Sequence, residues 1–247
     1  MAPEASSESS YDSHDFPPFA VTVDIALFTI FEGKFSMLLI ERGQGPFRFA
    51  WALPGGFVLP DEDLLAAANR ELSEETGAPT NLHLEQLGSY GAPKRDPRMR
   101  VVTVAYWAIL PNLDRPIGGT DAYSAKFVPV SEILSGDKNL AFDHEMIARD
   151  AIDRARAKIE YTTAATNFCP PEFTISQLRN IYEKIWNIPL EAGNFQRKVQ
   201  QIPGFITPLE KKVSNGIGPG RPPKLFAAGP TNEIHPPFRR SSDFDGR

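Results

Sequence analysis

Val21, Val23, Ile25 and Leu27 recur at every second position, a period of two that predicts a strand. Glu32-Gly33-Lys34 supplies a turn and Phe35 to Glu41 continues the pattern, so the two runs predict a hairpin. After a Gly/Pro-rich loop, Trp51-Ala52-Leu53 leads into Pro54-Gly55-Gly56. The period then lengthens. Over residues 62–76 Leu64, Leu65, Ala68 and Leu72 fall on one helical face. Strands are predicted again at 82–91, 101–110 and 125–130. The second of these, VVTVAYWAIL, is rich enough in β-forming residues to be central. A helix over 142–158 carries Met146, Ile147, Ala151, Ile152 and Ala155 on one stripe. Residues 18–156 therefore predict one mixed α/β domain.

A different pattern follows. TISQLRNIYEKIW opens with a capping box, Thr174 with Gln177, and places Leu178, Ile181, Tyr182 and Ile185 at helical spacing. The connection NIPLEAG precedes a second helix, NFQRKVQQI. Two short strands, FITPLEKK and KLFAA, then flank the loop VSNGIGPGRPP. Helix, turn, helix, hairpin is the order of a winged helix, expected over 157–228. The polar residues 1–17 and 229–247 are expected to be a disordered lead and tail.

The chain has 247 residues, 41% of them hydrophobic, enough for one large domain or two modest ones. Its single cysteine excludes an internal disulfide and suggests a reducing compartment. No signal peptide is expected and no apolar run reaches membrane-spanning length, so a cytoplasmic protein without a membrane partner is predicted. The formal net charge of −5 argues against nucleic acid as a partner of the whole chain, but the charge is uneven. Arg197, Lys198, Lys211, Lys212, Arg221 and Lys224 face only Glu210 near the end. Asn194, Gln196, Arg197 and Gln200 offer groups suited to base edges and phosphates in a major groove. Lys198 and Lys224 add positive charge, and the slim GPGRPP tip suits Arg221 to a minor groove. The predicted partner is double-stranded DNA; a plain soluble surface or a protein-interaction module is the alternative.

Residues 55–78, GGFVLPDEDLLAAANRELSEETGA, gather Arg70, Glu71, Glu74 and Glu75 at the end of a helix. Glu71, Glu74 and Glu75 stand at i, i+3 and i+4, on one face. Like charges at that spacing cost roughly a few tenths of a kcal/mol per pair in water. The helix dipole adds to the cost at this end. Arg70 can offset part of it against Glu74, and a divalent metal can offset more. Carboxylate oxygens suit hard Mg²⁺ or Mn²⁺. A solvated acidic face is the alternative, but the glycines favour the metal. Gly77 fits a left-handed helix end, and Gly56 lets backbone pass close to a bound ion.

Gly56, five residues, Glu62, seven residues, then Arg70-Glu71-Leu72-x-Glu74-Glu75-x-Gly77-Ala78 resembles a complete Nudix box. It is softened only at Ala78, where a larger aliphatic is usual. The resemblance implies an α/β/α sandwich that cleaves nucleoside diphosphates linked to another moiety. It makes Glu71, Glu74, Glu75 and Arg70 the catalytic residues. The three glutamates and the Gly56 carbonyl would be metal ligands, Arg70 would orient a glutamate, and Glu62 would be a structural partner near the helix start. The general base would be a box glutamate or a carboxylate from a loop outside it. Pro93-Lys94-Arg95-Asp96-Pro97-Arg98 resembles a stretch of ADP-ribose pyrophosphatase-like Nudix proteins, which implies that Lys94, Arg95 and Arg98 bind substrate phosphate. A solvated hairpin loop is the other possibility there, and Asp143 is read as a helix N-cap ahead of a catalytic group.

The whole layout over 18–228 resembles the NrtR family of Nudix-related transcriptional regulators. That implies an ADP-ribose-type ligand that changes DNA affinity at genes of NAD or sugar metabolism, in a homodimer. Many members have an eroded box and bind without cleaving; here the box is intact. The expectation is a bifunctional protein, a DNA-binding regulator on a metal-dependent hydrolase. A catalytically silent sensor and a plain hydrolase with an accessory C-terminal domain are the alternatives.

Overall fold

The protein is described by a computed structural model covering residues 17–79, 82–111, 113, 116, 122–212 and 223–240. The Nudix-like part contains strands β1 (Ala20–Phe31), β2 (Lys34–Arg42), β3 (Trp51–Ala52), β4 (Gly55–Phe57), β5 (Glu85–Tyr90), β6 (Val101–Ile109) and β7 (Ala122–Pro129). Its helices are α1 (Leu64–Thr76), α2 (Val130–Leu134) and α3 (His144–Tyr161). The strands form one mixed sheet in the order β3-β2-β1-β6-β5, with β4 on β1 and β7 on β2. β1 and β6 are parallel and the other pairs antiparallel.

Alternation along β1 reflects two cores rather than one wet face. Val23, Ile25 and Leu27 pack with Ala67, Ala68 and Leu72 of α1 on one side. Ala26 and Phe28 pack with Ile147, Ala151 and Ile152 of α3 on the other. This is the expected α/β/α sandwich. Leu65 and Met146, placed on the apolar faces by spacing, are instead 44% and 47% exposed.

α1 begins two residues later than expected because Asp63 caps it, its Oδ1 accepting from Ala66 N at 2.8 Å. It ends where Gly77 takes a φ of 68°. β4 and α2 were not expected, being only three and five residues long. Both are placed by tertiary pairing rather than by a local pattern.

The second part holds a 3₁₀ turn (Thr163–Phe168), α4 (Ile175–Trp186), α5 (Ala192–Gln201), β8 (Ile206–Lys212) and β9 (Lys224–Ala228), the winged-helix order. The predicted capping box is formed: Thr174 Oγ1 accepts from Gln177 N and Gln177 Oε1 from Thr174 N. α3 runs through 156/157, and the apolar core continues without a break into Leu178, Tyr182 and Phe195. One expectation is corrected. The tail is not idle over 229–240: Ile234 and Phe238 are 0% and 1% exposed. Ile234 N donates to Tyr161 O at 2.8 Å and Phe238 N to Glu160 O at 2.9 Å. Among the described residues no helix is long and apolar enough to cross a membrane.

Candidate functional site

β4 lies antiparallel on β1, with Gly56 opposite Val23 and Gly55 opposite Asp24, and this brings the glycine pair over α1. A Cβ on Gly55 would collide with the Val23 backbone oxygen of the paired strand, and one on Gly56 would push away the Glu71 carboxylate. Close approach therefore requires glycine at 55 and preserves the Glu71 position at 56. Arg70 organises the helix end. Its Nε and Nη2 donate to the two Glu62 oxygens at 2.9 and 2.5 Å, and its Nη1 to Glu71 Oε1 at 2.8 Å and Glu74 Oε2 at 3.3 Å. The Arg70 bonds hold the Glu62 carboxyl down at about 2. Glu62, just outside the helix, also accepts from Leu59 N and so pins the preceding loop.

Glu75 is 7% exposed and accepts from Gly55 N at 2.9 Å. Burial, with smaller contributions from Glu71 and Asp24, pushes its carboxyl up to about 8. Burial also raises Glu71, against the pull of Arg70. Both carboxylates line a cavity of about 320 Å³, together with Gly56, Asp24, Arg42 and Arg98. Glu74 does not. Its side chain is 55% exposed and leans on Arg70. Adjacent residues lie about 100° apart around the helix, and here that turn puts Glu75 in the cavity and Glu74 against Arg70 and solvent. The shared face expected of three glutamates thus resolves into two at the cavity and one outside it.

A buried Glu75 and a half-buried Glu71 face one cavity, and among the described residues no salt bridge reaches Glu75; this all-oxygen donor set fits a hard divalent cation. Among the described residues no three acidic, histidine or cysteine side chains converge as a closed cage. An ion here would take Glu71 and Glu75 from the protein, and water and substrate oxygens for the rest.

The opposite wall comes from segments far apart in sequence. Arg95, 8% exposed, forks onto Asp143, with Nε–Oδ2 at 2.9 Å and Nη2–Oδ1 at 2.7 Å, and reaches Asp24 Oδ2 at 3.4 Å. His144 Nδ1 accepts from Leu53 N at 3.0 Å, which leaves the ring proton on Nε2, 3.4 Å from Asp24 Oδ1. Burial lowers the His144 pKa and favours this neutral form. Asp143 occupies the N-cap position of α3 but makes no side-chain cap bond; the N-cap expectation is corrected because its carboxylate serves Arg95 instead. Arg98 lines the cavity with its Nε and Nη2 on Asp96, at 3.0 and 2.7 Å. Lys94 lines a neighbouring cavity with Phe47 and Met146. Asp24, Arg42, Phe142 and His144 were not singled out as site residues. Asp24 carried a signal, being an acid inside an otherwise buried strand.

In the winged helix, Glu191 caps α5 by accepting from Gly193 N and Asn194 N at 2.8 and 2.5 Å. Phe195 and Val199 face the core, so Gln196, Arg197 and Gln200 are exposed and Asn194 and Lys198 half-buried. Arg197 Nη2 donates to Asn194 Oδ1 at 2.5 Å, which ties two of the expected DNA-facing groups together. Lys224 is exposed at the start of β9, and Arg221 lies outside the described residues.

Residues 18–150 match the NUDIX domain family and residues 165–228 the NrtR DNA-binding winged helix domain. The chain is 38% identical to the ADPR responsive transcriptional repressor NtrR of Acinetobacter baylyi over 220 residues, covering 88% of this chain and 85% of that one. Over 127 residues it is 38% identical to an ADP-ribose pyrophosphatase of Methanocaldococcus jannaschii, covering 51% of this chain and 71% of that one. Shewanella oneidensis NrtR complexed with a 27mer DNA superposes with a TM-score of 0.70 at 28% identity, over 89% of this chain and 99% of that one. Its NUDIX domain complexed with ADP ribose gives 0.53 at 34% identity, over 59% and 94%.

Proposed function

This chain belongs to the NUDIX domain family and carries the NrtR winged helix, and on that premise we propose that it is an ADP-ribose-responsive DNA-binding regulator that also hydrolyses its ligand. The observation that carries the reading is that Glu71 and Glu75 of an intact box line one cavity with cationic side chains, on the same chain as an exposed α5. Binding of ADP-ribose and of DNA by Shewanella NrtR supports the regulatory half, and the relative named an ADP-ribose pyrophosphatase supports the hydrolytic one. Glu71 and Glu75 would hold Mg²⁺, or Mn²⁺ in its place. Bound there, the ion would neutralise phosphate charge and lower the pKa of the attacking water. Arg70 and Glu62 keep Glu71 in place, and the Gly55 N–H fixes Glu75. Gln196 and Arg197 would enter the major groove, Asn194 orienting Arg197, with Lys198 and Lys224 on the phosphates and Arg221 in the minor groove. The regulator would act in the cytoplasm as a homodimer, at genes of NAD or sugar metabolism, over the units 18–156 and 157–228.

The test joins two assays. Incubation of ADP-ribose with Mg²⁺ is expected to yield AMP and ribose 5-phosphate with the wild type and neither with Glu75→Gln. A duplex selected by the protein from random sequence is expected to bind in a salt-dependent way, more weakly with Arg197→Ala, and with an affinity that ADP-ribose changes. Failure of the duplex to bind at low salt would overturn the regulatory half. The exposure of Glu74 favours one second reading, a silent sensor. Ligand binding without product would establish it.

A further inference from the structure

The three cations expected at the substrate phosphates are committed elsewhere. Arg95 is closed between Asp143 and Asp24, Arg98 is forked onto Asp96, and Lys94 belongs to the neighbouring cavity. Arg42, the last residue of β2, is different. It lines the same cavity as Glu71 and Glu75 and is half-buried. Its Nε donates to Pro46 O at 2.9 Å, and its guanidinium carbon sits 4.8 Å from the centre of the Phe142 ring. Among the described residues its terminal nitrogens have no hydrogen-bond acceptor and no carboxylate forms an ion pair with it.

The surroundings work against this charge. Burial and the nearby Arg98 both disfavour it, while Glu75, Asp96 and Asp24 favour it only through space. A guanidinium held at one edge by a backbone carbonyl and steadied by a ring presents its remaining N–H groups as a planar fork. That fork matches a pair of phosphate oxygens. Cation–π contact restricts its orientation without using any donor.

We propose that Arg42 binds the diphosphate of the nucleotide ligand, with Phe142 setting the plane of the guanidinium. The assignment rests on the reading of this cavity as a nucleoside diphosphate site. It reassigns the phosphate contact from the loop at 93–98 to the end of a sheet strand, where Arg42 N donates to Ala50 O at 3.0 Å and Arg42 O accepts from Phe49 N at 2.8 Å, which holds its backbone in place.

Calorimetric titration of the full chain with ADP-ribose, inorganic pyrophosphate and adenosine tests it. Arg42→Ala is expected to lose affinity for ADP-ribose and pyrophosphate by on the order of 10- to 100-fold, as for one charge-assisted contact, with adenosine binding unchanged. Arg42→Lys is expected to recover only part, because an ammonium lacks the fork. Should Arg42→Ala not fold, Arg42→Gln keeps much of the stem and carries the same readout. Equal affinity of wild type and variant for both phosphate ligands would overturn the proposal. A wild type that binds pyrophosphate through Arg42 but not ADP-ribose would overturn the nucleotide reading alone. A wild type that binds neither would overturn both.

Discussion

Arg95→Ala is expected to destabilise the Nudix unit by about 3 kcal/mol, the low end of the cost of breaking a buried ion pair from one side. Arg95 and Asp24 have side chains only 4% and 8% exposed, and Asp143 is 17% exposed. Removal of the guanidinium leaves Asp24 and Asp143 without their shared cation, and among the described residues the near contact left to Asp24 is the neutral His144. The size of the effect comes from the orphaned acids rather than from the lost attraction. The double variant Arg95→Met with Asp143→Leu should therefore be milder than Arg95→Ala alone, although it removes more polar contacts. Urea unfolding of the three proteins measures the difference. A sequence-level role for Arg95 as a substrate cation makes the opposite forecast. If Arg95→Ala kept full stability and lost only ligand affinity, Arg95 would return to the phosphate.

What could be read from the chain, and what could not, divides along sequence distance. The box helix was legible because its cues are local, the spacing of Glu71 and Glu75 and a glycine at its end, although the Asp63 cap that sets its start was missed. The winged-helix order was legible for the same reason, through the Thr174–Gln177 box and the apolar stripe of α4. The wall opposite the box was not. Its contacts join Leu53 to His144 and Arg95 to Asp143 and Asp24, and no periodicity couples such positions. A cationic loop read alone suggests a phosphate site, because the acids that neutralise Arg95, Asp24 and Asp143, lie far away in sequence; only Asp96, the partner of Arg98, lies in the loop itself. The division of labour among the three glutamates was half legible. Helical spacing groups them, but which two face inward depends on where β4 lies across the helix.

Phe238→Ala is expected to cost about 3–5 kcal/mol, as for a fully buried phenylalanine whose site cannot collapse. Its composition disguises this residue. The segment GPTNEIHPPFRR is polar and Pro-rich, as a disordered tail would be, yet it carries two anchors, Ile234 and Phe238. The Phe238 ring lies 5.5 Å from Tyr182 of α4, 5.9 Å from Phe195 of α5 and 5.8 Å from Phe205 before β8. The tail thus closes the core of the winged helix from beneath α5, while its backbone bonds to Glu160 and Tyr161 fasten it to the end of α3. Thermal or urea unfolding of Phe238→Ala and of a chain ending at Ala228 checks the size. Unchanged stability in both would make the tail idle after all. The same pair of variants separates support from contact in DNA binding. Loss of Phe238 loosens α5 without removing a phosphate partner, so affinity should fall while its dependence on salt stays the same. Lys198→Ala should instead flatten that dependence by about one unit of slope, because it removes one phosphate contact from the interface. If Phe238→Ala flattened the slope as well, α5 would be leaving the groove altogether, and the tail would be a condition of docking rather than of stability.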